Sequence, residues 1–241
     1  MAKATLPQGA EAPVLCACGT PIYPYVIGDY TYQAAKCPAC LKKEEEEKER
    51  QKQASKLVSL GLQRRYRDSG FDNLHDPKPP QHIIETCRTY ALTIAKQTEP
   101  SGQGLYLWGP AGTGKTHLAV AIAKTYGQAL FLNTLHLFDA LKDSYQTKTR
   151  CEPYESARFA PLLILDDLGS ERPTGWVQER LYSLLNNRWD EMLSTVFTSN
   201  YSPNELESVI GPRSASRVLG TCLTIEIDGP DHRRFTCAAV R

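Results

Sequence analysis

No stretch of this sequence stays apolar long enough to cross a bilayer, and the strongest runs, such as Leu162 to Leu165, are strand-sized. The opening "MAKATLPQGAEAPVL" lacks the apolar core that a secretion signal needs. Membrane residence is therefore not expected, and a cytoplasmic location is. Excess charge of one sign is missing too. The 28 Lys and Arg residues stand against 27 Asp and Glu, and a net charge of +1 exerts no global pull on nucleic acid. Any such contact must come from a local patch. Internal repeats are absent. Eight cysteines without a secretion signal point to reduced thiols, not to a disulfide scaffold. What remains is 241 residues of ordinary globular composition, enough for one good core and a small appendage.

Two segments differ in character. Residues 1–40 carry four cysteines and Tyr23, Tyr25, Tyr30 and Tyr32, with little helical periodicity. From Leu41 to Leu60 the chain reads "LKKEEEEKERQKQASKLVSL", rich in helix formers. Glu44 with Lys48, and Glu46 with Arg50, fall at i,i+4 in the favourable order, so a solvated helical spacer is expected. This divides the chain into a module over 1–57 and a larger domain over 58–241. Prolines 77, 79 and 80 then break any helix.

Apolar spacing through Ile83, Ile84, Cys87, Tyr90, Ala91 and Ile94 predicts an amphipathic helix over 81–97. Strands are predicted at "GLYLW" (104–108), "ALFLN" (129–133), "PLLILDDL" (161–168), "STVFTSN" (194–200) and "TCLTIEID" (221–228). Helices are predicted over "KTHLAVAIAKTY", "LHLFDALKDSY", residues 174–192, 203–209 and 212–219. Strands apolar on both faces that alternate with helices imply a parallel sheet covered on both sides. The fold class is α/β.

"GPAGTGKT" fits the Walker A spacing in full: Gly109, Pro110, Ala111, Gly112, Thr113, Gly114, Lys115, Thr116. It lies between a predicted strand and a predicted helix, the context in which backbone N–H groups and a helix N-terminus cradle phosphates. His117 follows directly and joins the nucleotide-binding candidates. Lys115 is expected on the β- and γ-phosphates of ATP, with Thr116 on Mg²⁺. "LLILDD" supplies the second Mg²⁺ anchor, Asp166, at the end of a strand. Asp167 is expected to orient the attacking water, or else to cap a turn. As water-orienting carboxylate it is one methylene shorter than Glu, which implies slow hydrolysis. Asn200, ending "FTSN", is the candidate that polarises the same water, against the plain role of a turn residue. Positive charge for the transition state has four candidates, Arg213, Arg217, Arg233 and Arg234, each competing with the role of a solvated surface charge.

Cys16 and Cys18, followed by Cys37 and Cys40, form two close pairs, as in a Cys₄ Zn²⁺ site that holds together a module too small for its own core. The first pair is Cys-Ala-Cys, tighter than the usual two-residue gap. Four reduced, unpaired cysteines are the alternative. Cys87, Cys151, Cys222 and Cys237 show no such pairing.

The blocks "GLQRRYRDSGFDNL", "LWGPAGTGKTHLAVAIA", "LLILDDLGSE", "VFTSNYSPNEL" and "GPRSASRVLG" together resemble the AAA+ ATPases of the bacterial helicase-loader family, the DnaC/DnaI type. The related transposition helper IstB shares most of them. The resemblance runs from about residue 60 onward. It implies an AAA+ P-loop core that loads a ring-shaped, hexameric replicative helicase onto single-stranded DNA. It further implies slow, DNA-stimulated ATP hydrolysis at a site between protomers of an ATP-dependent oligomer. By position, Arg217 is similar to the trans-acting arginine finger, Arg213 to its companion on the same helix, and Arg233 to the sensor arginine. A zinc-bearing N-terminal module resembles the DnaI type, where it grips the helicase. Lys142, Lys148 and Arg150 are candidates for DNA, against a plain solvated face. Two other roles stay open: a transposition helper on duplex DNA, and a helicase-binding adaptor that uses ATP only as a switch.

Overall fold

The computed structural model describes residues 13–23, 25–27, 30–32, 34, 36–43, 62, 64–74, 78–171 and 174–232. The chain divides into two compact units, Met1–Ser55 and Lys56–Arg241. Residues 38–43 are helical, and the remainder of the charged helix expected over 41–60 lies outside the described residues, as does Arg233.

The first unit is built from two short antiparallel hairpins. Strands β1 (Val14–Leu15) and β2 (Pro21–Ile22) form one, and β3 (Tyr25–Ile27) and β4 (Tyr30–Tyr32) the other. Its described core is small: Cys16, Ile22 and Cys37 are buried, with Ala34 and Cys40 packed against them. Three apolar side chains of this size bury too little surface to offset the chain entropy, so a metal staple fits the need.

The second unit is a three-layer α/β/α domain. Five parallel strands run in the order β6 (Ala129–Asn133), β7 (Leu162–Leu168), β8 (Ser194–Ser199), β5 (Gly104–Trp108), β9 (Cys222–Glu226). From β5 the chain crosses to the far edge at β6, returns through β7 and β8, and then passes to the other side of β5. Alternation sorts each strand onto two cores. Leu105, Leu107, Leu162, Ile164 and Val196 face α1 (Gln81–Lys96) and α2 (Lys115–Tyr126). Tyr106, Leu163, Leu165 and Phe197 face α3 (Thr134–Thr147), α4 (Glu152–Phe159), α5 (Gly175–Asp190), α6 (Pro203–Ile210) and α7 (Pro212–Thr221). Helix α2 is apolar nearly all round, and Leu118 through Ala123 are at most 1% exposed, which makes it the central pillar of its face.

The predicted elements recur within a residue or two at most ends. One helix was not anticipated, α4. "EPYESARF" is short and buries only Tyr154 and Ala157, yet it carries Pro in its first turn, Glu152 and Glu155 at its N-terminal end and Arg158 at its last turn. The last strand is shorter than expected at both ends: α7 continues through Thr221, and the sheet strand is only Cys222–Glu226.

Candidate functional site

The sheet's carboxyl ends present a cleft of about 260 Å³ at the switch between β5 and its neighbours. The loop after β5 forms one side. Gly109, Gly112 and Gly114 take φ values of 141°, 82° and 98°. At Gly112 a Cβ would sit 1.8 Å from Asp231 Oδ1, and at Gly109 it would sit 2.2 Å from the Ile227 carbonyl. Both positions need glycine for conformation and for space. Gly114 caps α2 in the left-handed region, which turns the helix N-terminus toward the cleft. Lys115 is buried and donates to the carbonyls of Gly109 (2.8 Å) and Pro110 (2.6 Å). Thr113 Oγ1 donates to the same Pro110 oxygen at 3.0 Å. His117 lines the cleft but also bonds Gly70, its Nε2 lying 2.8 Å from the Gly70 carbonyl.

Facing the loop, β7 changes register. Leu165 lies opposite Phe197 while Leu168 lies opposite Ser199, so Asp166 and Asp167 occupy a bulge. Asp167 takes a φ of 62°, in the left-handed region that aspartate tolerates better than most side chains. Thr116 Oγ1 donates to Asp166 Oδ1 at 2.8 Å, and Thr198 Oγ1 donates to the same oxygen at 2.7 Å. Burial pushes the Asp166 carboxyl above its ordinary value, and the two hydroxyls partly offset that. Thr198 is itself 1% exposed and also accepts the Asp167 backbone N–H at 2.8 Å. One hydroxyl therefore orients both aspartates. Asn200 Nδ2 approaches Asp167 Oδ1 at 3.4 Å from the end of β8.

Arg65, Tyr66, Leu74 and Pro79 complete the opposite wall. The Arg65 guanidinium stacks on Tyr66 at 4.5 Å, and α2 holds this segment through Lys124, which donates to the carbonyls of Arg67 and Ser69. His232 lines the cleft from the C-terminal side, its N–H donating to the Gly112 carbonyl at 3.1 Å. Sequence reasoning assigned no role to this wall, nor to Thr198. The one usable signal was the block "GLQRRYRDSGFDNL", which contains Arg65, Tyr66 and Leu74.

The structure thus brings Lys115, Thr116, Asp166, Asp167 and Asn200 to one cleft. It does not bring Arg213 or Arg217 there. Among the described residues lining the cleft, Arg65 is the one arginine. Arg213 lies over the Tyr182 ring at 5.9 Å, and Arg217 over the Trp189 ring at 4.1 Å.

In the first unit, the Sγ atoms of Cys16, Cys18, Cys37 and Cys40 all lie within 4.8 Å of one another. Cys18 and Cys37 are 3.5 Å apart, and the Cys37 N–H donates to Cys16 Sγ at 3.3 Å. The Thr20 hydroxyl beside Cys18 brings that thiol down to about 6, while the neighbouring Cys18 pushes Cys40 up to about 12. Four converging soft donors suit one tetrahedral Zn²⁺. The tight Cys-Ala-Cys spacing does not prevent the convergence.

A family model described as IstB-like ATP binding protein matches residues 37–234. Among curated relatives, the replicative helicase loader DnaI of Bacillus subtilis is 29% identical over 207 residues, 77% of this chain and 65% of that protein. A putative ATP-binding protein in an insertion sequence of Mycobacterium tuberculosis is 26% identical over 172 residues, 68% of this chain and 66% of that protein. The chain thus spans about two thirds of the length of these relatives. Among solved structures, a DnaC helicase loader superposes with a TM-score of 0.61 at 27% identity, covering 69% of this chain and 100% of that one. A DnaI structure gives 0.59 at 28% identity, covering 71% and 94%. The fold is that of AAA+ proteins. Among the described residues no helix is long and apolar enough to cross a membrane.

Proposed function

We propose that this chain, which belongs to the IstB-like ATP-binding protein family, loads a hexameric replicative helicase onto single-stranded DNA in replication initiation or restart, driven by slow, DNA-stimulated ATP hydrolysis. The observation that carries this reading is the division of the nucleotide machinery. Lys115, Thr116, Asp166, Asp167 and Asn200 share one cleft, while Arg217 sits on α7, outside it. An arginine finger seated outside its own cleft serves a neighbour's site, so ATP binding favours assembly.

Within the cleft the loop backbone and Lys115 hold the phosphates. Thr116 and Asp166 would hold Mg²⁺, which neutralises phosphate charge. Asp167, aimed by Thr198 and flanked by Asn200, orients a water in line with the γ-phosphorus and takes its proton as the new P–O bond forms and the bond to ADP breaks. Arg213 supports Arg217 on the same helix, and Arg233 takes the role of sensor arginine. The Cys₄ module binds zinc and grips the helicase. Lys142, Lys148 and Arg150 track the DNA backbone. Lys148 and Arg150 border a second cleft of about 500 Å³ with Tyr145, Arg158 and Arg180, in which Glu155 pairs with Arg150 and Arg158 and partly neutralises the basic lining a single strand would meet.

A pull-down of purified replicative helicase by the full chain, with and without Cys37→Ser and Cys40→Ser, tests this reading. Capture lost with the cysteines supports it. No capture by the unaltered chain refutes it and favours the transposition-helper role, for which the insertion-sequence relative is the precedent. Capture together with ATP binding but no turnover, unchanged by Arg217→Ala, would instead identify an adaptor switched by nucleotide.

A further inference from the structure

The end of α5 builds a seat for Arg217. Its guanidinium stacks on the Trp189 ring at 4.1 Å, and its Nη2 donates to Asn186 Oδ1 at 2.9 Å. The Asn186 amide is not free to turn, because its Nδ2 donates to Asp190 Oδ2 at 2.8 Å. With the NH₂ group committed to Asp190, the carbonyl oxygen is left for the arginine. Residues 186, 189 and 190 share one face of the helix by their spacing.

The opposite face is clamped. Arg188 is 1% exposed and donates to the carbonyls of Ala157 (2.7 Å), Ala160 (2.9 Å) and Ser194 (2.6 Å) and to Thr195 Oγ1 (2.9 Å). Asn187 exchanges hydrogen bonds with Arg158, accepting from Nη2 at 2.9 Å and donating to its carbonyl at 3.1 Å. The seat is therefore fixed to α4 and to β8, two elements that cannot shift without breaking buried bonds.

We propose that Asn186 and Trp189 are positioning residues that hold Arg217 ready to enter a neighbouring protomer's ATP site. An unrestrained arginine loses rotamer freedom when it engages a phosphate. A stack on indole, the strongest cation–π face, together with a fixed acceptor, removes part of that loss beforehand. The proposal rests on Arg217 acting in trans, and the two ideas fail separately.

The test is steady-state ATP hydrolysis by the full chain with single-stranded DNA. Asn186→Ala and Trp189→Ala should each lower kcat on the order of tenfold. KM for ATP should not change, because the neighbour's loop binds the nucleotide. Trp189→Phe, which keeps a ring under the guanidinium, should restore most of the rate. In an Arg217→Ala background, neither substitution should cost anything further. Unchanged kcat in Asn186→Ala and Trp189→Ala, with Arg217→Ala strongly slowed but still measurable, overturns the seat. So does an undiminished further loss in the Arg217→Ala background, which would mark a general structural defect. Full turnover in Arg217→Ala overturns the finger assignment itself.

Discussion

Replacing Thr198 by Val keeps the shape of a side chain that is 1% exposed and removes only its hydroxyl. Two bonds go with it. Asp166 Oδ1 loses a donor at 2.7 Å, a hydrogen bond to a charged group, which is worth about 1.5–3 kcal/mol. The Asp167 N–H, which is part-buried, loses its acceptor at 2.8 Å, and leaving such a donor unpaired costs about 1 kcal/mol. Relaxation and shared geometry make the two less than additive, so a loss of about 2–4 kcal/mol is expected. All three tryptophans, Trp108, Trp176 and Trp189, lie in the ATPase unit, so intrinsic fluorescence during urea unfolding reports that unit alone. With a slope of about 2 kcal/mol per molar urea, the midpoint should fall by roughly 1–2 M. Thr198→Ser keeps both bonds and loses a methyl group, so it should fall by about 1 kcal/mol. The Val variant should also hydrolyse ATP more slowly, because Asp167 loses the contact that aims it. A Val midpoint equal to that of Ser would refute the reasoning, since the hydroxyl would then contribute nothing.

The remaining expectations concern separate parts of the chain. Gly112→Ala places a Cβ 1.8 Å from Asp231 Oδ1 at a φ of 82°, and should weaken ATP binding at least tenfold by equilibrium titration, about 1.4 kcal/mol. Wild-type affinity would show that the loop has room to open. Burial holds the Asp166 pKa above its unfolded value of 3.8, so the folded chain keeps a proton that the unfolded chain has already lost. Its contribution to stability is complete below the unfolded value and is lost as pH rises through the raised one. Asp166→Asn retains an acceptor for Thr116 and Thr198, so it should raise the nucleotide-free melting midpoint at neutral pH, flatten its pH dependence and abolish Mg²⁺-dependent turnover. A lowered midpoint at neutral pH argues against that sign. Metal analysis should find about one zinc per chain, lost with Cys37→Ser and Cys40→Ser. A metal-free but folded first unit would remove the staple.

Much of the architecture was legible because its determinants are local. Leu105 and Leu107 alternate with Tyr106, and the glycine spacing of 109–114 followed by Lys115 is a statement about consecutive residues. The five strands and six of the seven described α-helices of the second unit followed from such patterns, but not the order of the strands in the sheet. Helix α4 escaped because it buries only Tyr154 and Ala157, too few apolar positions to mark a face, although its end signals were present. The separation of Arg217 from the cleft was implied by family resemblance, whereas its seat on Asn186 and Trp189 was invisible, since those residues precede it by some 30 positions. By itself the sequence determined the α/β class, the phosphate loop, the acidic strand end and the four-cysteine set, all of which depend on neighbours along the chain. Only the tertiary structure decided that one threonine orients both aspartates, that a bulge turns Asp167 into the left-handed region, and that Arg65 and Tyr66 wall the cleft. Those facts depend on which strand lies beside which, and in what register, and parallel pairing joins segments that no local pattern connects.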